Sequence, residues 1–484
     1  MWWCGVVLLA ATCAAWALAM PAMSGPDEAA HAVRAAAVVR GQLIGAKTPP
    51  AGNNPEWANV FVDVRVPSAL AAAAAVGDCH RVFGVSNHPA HISCPGPPRT
   101  RHITTARTYE HRGQPLFYLL LGVPTLFTTS AAGLLAMRAL NVALCSAFLA
   151  SGLASLMRLP NRPLVALGAL VALSPEVLYL AGTANSSGFE IAAAFSLWAS
   201  GLALLDAAPQ PDRRLVNRFG LALSALLVAR GFSPIFTVLI VASLVATAPR
   251  QARTLLGLRQ LRLWLGVAAA AMAASVVWLA HMELTLPLHG YPPIGFGPAV
   301  RRLPQWTSEL VAVFGSSDVT PPLVAVLWGA AGVVVVGLAV IVARTDRRHL
   351  AVAAAVFASA FGLMLTSEAV GIPQIGFAWQ GRYVLALVVG ALLVASSGHA
   401  DRLARKAGPP TIALLVAAHV GAFAYALRHY TVSDTGPRNP IRYLLHPVWT
   451  PPLPPVVLLA WFSVAVVLLS AWLWQVSSAV RPGR

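Results

Sequence analysis

Apolar runs long enough to cross a bilayer recur near 2–22, 133–157, 163–181, 188–206, 263–282, 321–343, 350–369, 382–398, 410–427 and 455–476. The stretch 216–248 is interrupted by "ARGFSP", which reads as a tight turn joining two further spans. "QPLFYLLLGVPTLF" at 114–127 is short and punctuated by prolines, so it reads as an interfacial or re-entrant helix. This pattern predicts an all-α polytopic membrane protein, a bundle of about twelve transmembrane helices. The N-terminal "MWWCGVVLLAATCAAWALAMPA" lacks the basic start of a signal peptide. Its apolar stretch of about 20 residues is long enough to span, so it reads as a retained first helix.

Composition agrees with the pattern. Hydrophobic residues make up 57% of the 484 residues and charged ones 11%, with a mean hydropathy of +0.68, whereas soluble domains carry about 25% charged residues. A net charge of +17 raises the question of nucleic acid. The distribution excludes that partner, because the basic residues form short clusters between apolar runs and no basic stripe is interleaved with aromatics. Lys47 and Lys406 are the only lysines, which together with the alanine richness points to a high-GC bacterial genome.

The basic clusters set the orientation. Connections 158–162, 206–218, 249–262, 344–349 and 401–406, with the tail 481–484, hold 17 of the 34 basic residues but only four acidic ones, Asp206, Asp212, Asp346 and Asp401. The positive-inside rule puts these connections, and both termini, in the cytoplasm of a multi-pass protein of the cell (inner or plasma) membrane. Chemistry that uses carboxylates then lies on the extracytoplasmic side. That side also carries the long loops 24–113, 284–320 and 428–453 of what reads as a single transmembrane domain, 1–484. The first, with "WANVFVDVRVPSALAAAAAV", reads as a small folded cap with an amphipathic helix. Among the five cysteines, Cys79 and Cys94 lie in this loop, where a disulfide is the simplest reading. The alternative is a zinc site with His80, His88 and His91, but no ligand pair has CxxC or HxxxH spacing.

The first candidate site is "MSGPDEAAHAVRAAAVVRGQ", residues 23–42. It has helix-start grammar: Ser24 or Gly25 as cap, Pro26 first, then Asp27 and Glu28 in the first turn. Dipole complementation explains one acid. The spacing goes further and predicts Asp27, Glu28, His31 and Arg34 on one stripe. There a carboxylate serves as general base, the histidine orients it or holds a phosphate, and Arg34 adds positive charge. The second is "FAWQGRYVLAL", residues 377–387, where Arg382 at an outward helix N-terminus suits a phosphate or pyrophosphate at headgroup depth, with Gln380 and Tyr383 beside it. Interfacial snorkelling of Arg382 is the alternative.

In "SPEVLYLAGTANSSGFE", residues 174–190, Glu176 and Glu190 are intramembrane carboxylates. Asn185 there lines a cavity or caps the next helix. "ARTYEHRGQPLFYLL", residues 106–120, offers Tyr109 and Glu110 for substrate contact, or forms a polar hinge. Glu368, His281 and Glu283 also lie at outer span ends. No Walker loop, GxSxG, HExxH or dinucleotide fingerprint occurs.

The stretches "PDEAAHAVRAAAVVRGQ", "YEHRGQPLFYLLLGVP", "SPEVLYLAGTANSSGFE" and "WQGRYVLAL" follow one another over most of the chain. In this it resembles a bacterial family of predicted polytopic membrane proteins of unknown function that is grouped with the GT-C glycosyltransferases. The resemblance implies a GT-C-like bundle whose first outer loop begins with an acidic motif. That acid acts as base or metal ligand while a sugar passes from a polyprenyl-phosphate donor to a glycan or lipid-linked acceptor of the cell envelope. By position Asp27 and Glu28 match the acidic pair, His31 the motif histidine and Arg382 a donor-phosphate ligand. The cofactor it allows is a divalent cation, magnesium or manganese, on Asp27 or Glu28. The chain departs from the pattern in lacking a proline after Asn185 and a second acidic pair in the first loop. The rival readings are a transporter or flippase, and a non-catalytic binder, of a lipid-linked saccharide.

Overall fold

The computed structural model describes residues 1–48, 60–77, 102–128, 131–160, 162–286, 293–315, 319–342, 347–371, 379–397, 401–432 and 436–479. Among them, eight helices are long and apolar enough to cross a bilayer: Trp2–Ala19, Ala132–Leu156, Ser186–Asp206, Arg259–Thr285, Pro322–Ile341, Arg348–Val370, Leu403–Val432 and Pro455–Ser478. Two bent pairs, Arg162–Ala172 with Pro175–Ala181 (64°) and Ser233–Thr247 with Pro249–Leu255 (110°), bring the number to ten if each is one span. The polytopic all-α architecture is therefore as expected, and the described residues give eight to ten spans against the about twelve expected. The expected span at the front of 216–248 is a 15-residue helix, Arg213–Leu227, and the one at 382–398 is a 12-residue helix, Leu385–Ser396. At 1.5 Å per residue these reach about 22 and 18 Å, short of a hydrocarbon core of about 30 Å.

Burial sorts the helices. The whole apolar window of Ser186–Asp206 is buried, whereas only 11% of the Arg259–Thr285 window is. A helix that is apolar all round and wholly covered is the axis of a bundle, and one that presents Val276 and Val277 outward belongs against lipid. Near the end of the first helix, Trp16 packs against Tyr179, Phe314, Phe423 and Phe462, tying four segments together.

Pro21 follows the first helix, and a turn leads into the helix Glu28–Val38. Over this second helix lies a three-stranded antiparallel sheet in chain order, Ala46–Lys47, Val62–Pro67 and Ile103–Thr108. Val62, Val64 and Val66 face inward while Arg65 is exposed, the period-two pattern of a half-buried strand. The helix Ser68–Gly77 continues directly from that strand. Thr108 Oγ1 donates to the Ala30 carbonyl at 2.9 Å and fastens the sheet to the helix beneath. Cys79 and Cys94, with His80, His88 and His91, lie outside the described residues.

Candidate functional site

Asp27 is the N-cap of the Glu28–Val38 helix, two residues beyond the expected cap. Its backbone is left-handed, with φ 57° and ψ 10°, a conformation that costs a non-glycine residue on the order of 1 kcal/mol or more. The turn takes the carboxylate off the helical stripe. Its Oδ1 accepts from the Tyr109 hydroxyl at 2.7 Å and its Oδ2 from Arg382 Nη2 at 2.7 Å. Asp27 is 30% exposed and Arg382 5%. Arg382 stands in the turn Gly381–Val384 ahead of Leu385–Ser396, and its buried Nε has no partner among the described residues. The turn can sit so deep because Gly381 carries no side chain: a Cβ there would collide with the Trp306 carbonyl. Trp306 Nε1 and Arg302 Nη2 donate to the Trp379 carbonyl, Glu368 accepts from the Trp379 N–H, and Glu309 accepts from Gly381 N.

Glu28 points elsewhere, which corrects its place among the bases. Both its oxygens accept from Arg138, Oε1 from Nε at 2.7 Å and Oε2 from Nη2 at 2.6 Å. Ala184 N and Gly25 N donate to the same carboxylate. The side chains of Glu28 and Arg138 are 0% and 1% exposed. Burial pushes the Glu28 carboxyl up, but Arg138 and the hydrogen bonds outweigh it and hold the group below the usual range. Arg138 also donates to the carbonyls of Ala17, Met20 and Pro21, so the pair locks the end of the first helix to the start of the second. Arg138 was missed from the sequence, although an arginine inside an apolar run was the available signal.

His31 and Arg34 are likewise turned inward. His31 Nδ1 lies 2.7 Å from the Tyr118 hydroxyl, which donates to Glu110 Oε2 at 3.1 Å. The hydroxyl has one proton, so His31 is the donor to it. Burial pushes the imidazole below its usual value, against the pull of Glu110 and Asp27. His31 is thus a neutral donor at the buried end of a His31–Tyr118–Glu110 chain. Tyr118, which places Glu110, was also missed. Arg34 is 0% exposed, with its guanidinium near the Tyr118 and Trp278 rings and a long 3.5 Å bond to the Gly113 carbonyl. That burial withdraws Arg34 from the residues able to reach a lipid phosphate. The single stripe is corrected: Asp27 turns to Tyr109 and Arg382 and Glu28 to Arg138, while His31 and Arg34 both lie against Tyr118.

Asn185 is a cap and a clamp. Its Oδ1 accepts from Ser187 N at 2.7 Å while its Nδ2 donates to the Pro26 carbonyl at 2.6 Å, which removes it from the cavity-lining set. Glu190 accepts from Ser233 Oγ at 2.6 Å and pairs with Arg230 Nη1 at 3.4 Å. Tyr383 lies close to both Arg230 and Arg382. Gln380 is half-buried beside them, and its Oε1 has no partner among the described residues. Glu176 accepts from Val313 N. Glu283 pairs with Arg112 at 3.0 Å.

The donor set does not fit a divalent cation. Every oxygen of Asp27 and Glu28 is engaged by an N–H or O–H donor, and a guanidinium sits on each carboxylate. Among the described residues no three His, Cys, Asp or Glu converge. The arrangement can instead accept a proton at Asp27 and hold an anion at Arg382.

The family model described as "Predicted membrane protein (DUF2142)" matches residues 11–391. The chain belongs to the DUF2142 family. No curated protein matches it. The matched range of this DUF2142 chain holds the whole constellation from Asp27 to Arg382, including Arg138 and Arg230, which bind segments far apart in sequence.

Proposed function

We propose that this DUF2142 protein is a membrane glycosyltransferase of GT-C type. It moves a sugar from a polyprenyl-phosphate donor to a cell-envelope acceptor, at the extracytoplasmic face of the cell membrane. The observation that supports this reading is the Asp27–Arg382 pair. A part-exposed carboxylate and a buried guanidinium stand 2.7 Å apart, and the guanidinium keeps an Nε–H with no partner among the described residues. In the step, the acceptor oxygen bonds to the anomeric carbon and its proton passes to Asp27. The bond from that carbon to the phosphate oxygen breaks, and the electron pair leaves on the phosphate beside Arg382. A phosphate is already a good leaving group, so the site needs no strong acid. The His31–Tyr118–Glu110 chain ties the second helix to the turn that follows Tyr109.

The test is sugar transfer by purified protein in liposomes, with radiolabelled sugars on polyprenyl phosphate and on polyprenyl diphosphate, an envelope-glycan acceptor, and wild type beside Asp27→Asn. Transfer that collapses in the variant supports the reading. Label that crosses the bilayer, or binds without turnover in both proteins, replaces it with a transporter or a lipid-holding protein.

A further inference from the structure

Arg230 lies in the turn between the helices Arg213–Leu227 and Ser233–Thr247, within the "ARGFSP" break. The turn is built: Ser233 Oγ accepts from Arg230 N at 3.0 Å and donates to Glu190 Oε1 at 2.6 Å. Glu190 is 2% exposed, but the Arg230 side chain is 23% exposed, and their contact is a loose 3.4 Å. The Arg230 guanidinium carbon is 5.1 Å from the centre of the Tyr383 ring, and that of Arg382 is 5.5 Å from the same ring.

Two like charges drawn to one ring repel each other, and here the Asp27 and Glu190 carboxylates offset that repulsion. Each guanidinium commits one edge to a carboxylate, Arg382 to Asp27 and Arg230 to Glu190. Arg382 keeps an Nε–H with no partner among the described residues, and Arg230 meets Glu190 through Nη1 of a fork that carries five N–H groups. The site thus offers two anion contacts that flank one tyrosine ring. A sugar on a lipid monophosphate is a diester with one negative charge. A sugar on a lipid diphosphate carries two, on adjacent phosphates.

We infer that Arg230 is a second anion-binding residue of this site and that Arg230 and Arg382 together select a diphosphate-linked lipid over a monophosphate-linked one. This rests on the glycosyl-donor reading above and names its donor class. The transfer step is unchanged in balance: the electron pair of the broken bond leaves on the diphosphate, and the acceptor's proton still goes to Asp27.

The test needs no turnover. Binding of polyprenyl phosphate and polyprenyl diphosphate to the full-length protein in detergent is measured for wild type, Arg230→Gln and Arg230→Lys, with inorganic diphosphate as competitor. The expected result is at least tenfold tighter binding of the diphosphate lipid by wild type. Arg230→Gln removes that advantage while leaving the monophosphate lipid within twofold, and Arg230→Lys keeps part of it. Inorganic diphosphate competes only weakly if the lipid is the ligand. Equal binding of the two lipids by wild type overturns the inference, as does equal weakening of both by Arg230→Gln, the mark of a purely structural residue. Diphosphate selectivity without transfer from either lipid class would refute the glycosyltransferase reading alone. Transfer from monophosphate donors without Arg230-dependent selectivity would refute this inference alone.

Discussion

Arg382 Nη2 and Asp27 Oδ2 meet at 2.7 Å although 355 residues separate them in the chain. Tyr109 holds the other oxygen of Asp27, and the left-handed backbone turns the carboxylate away from its own helix. Asp27 and Glu28 are adjacent in sequence yet differ in setting: one is part-exposed and the other is sealed in the bundle.

Substitution Asp27→Asn keeps the shape and removes the proton acceptor. Loss of a general base lowers rates by about 100-fold or more. Asparagine keeps a side-chain oxygen that can accept from Tyr109 or Arg382, but Arg382 is 5% exposed and loses its counter-charge, so the variant should fold and melt somewhat earlier than wild type. Transfer by the folded Asp27→Asn protein should fall at least about 100-fold. A variant that retains activity, with Glu110→Gln inactive instead, would move the base to Glu110.

The Glu28–Arg138 pair makes the opposite forecast. Removing one member leaves a buried charge unpaired, which costs about 3–5 kcal/mol. Glu28→Gln and Arg138→Met should each express poorly and melt early, and the double variant should recover part of the loss. If Glu28→Gln melts like wild type but is inactive, the carboxylate belongs to the chemistry after all.

Much of this was legible in the sequence. The apolar runs gave the bundle because a bilayer demands satisfied backbone over a fixed length. "ARGFSP" marked a real turn, and "WQGRYVLAL" holds Arg382 in a turn that Gly381 lets pack against Trp306. Direction was not legible. Spacing along an ideal helix placed Asp27 and His31 on one stripe, but a single residue at positive φ moved the cap and sent Asp27 across to Arg382. The partners of Glu28 and Glu190, Arg138 and Arg230, come from other helices, and helix periodicity holds no information about pairs between helices. Among the described residues the span number comes out lower because Arg213–Leu227 carries three arginines near its start and, like Leu385–Ser396, stops short.

Metal dependence follows from the donor set. With a guanidinium on Asp27 and another on Glu28, a cation entering the site meets two fixed positive charges. Sugar transfer should be unchanged by EDTA and by added magnesium or manganese. Activity abolished by chelation and restored by one of these ions would show that Asp27 leaves Arg382 when substrate binds.

Acid stability should report His111. It lies in the turn Glu110–Arg112, is 1% exposed, and neither ring nitrogen has a partner among the described residues. Burial, then the charges of Arg112 and Arg34, push its pKa from 6.5 down to about 3. Above the ordinary value the imidazole is neutral in both folded and unfolded chains, so its titration leaves stability unchanged there. Below it the unfolded chain takes up a proton that the folded one refuses. Stability therefore falls from pH 6.5 towards pH 3, by at most about 1.4 kcal/mol per pH unit from this group. His111→Gln cannot charge, so thermal melts in detergent at about pH 7.5, 6 and 5 should show wild type losing ground relative to the variant only on the acid side. Parallel curves for the two proteins would mean that His111 takes up its proton alike in the folded and unfolded chains, against the effect of its burial and of the neighbouring arginines.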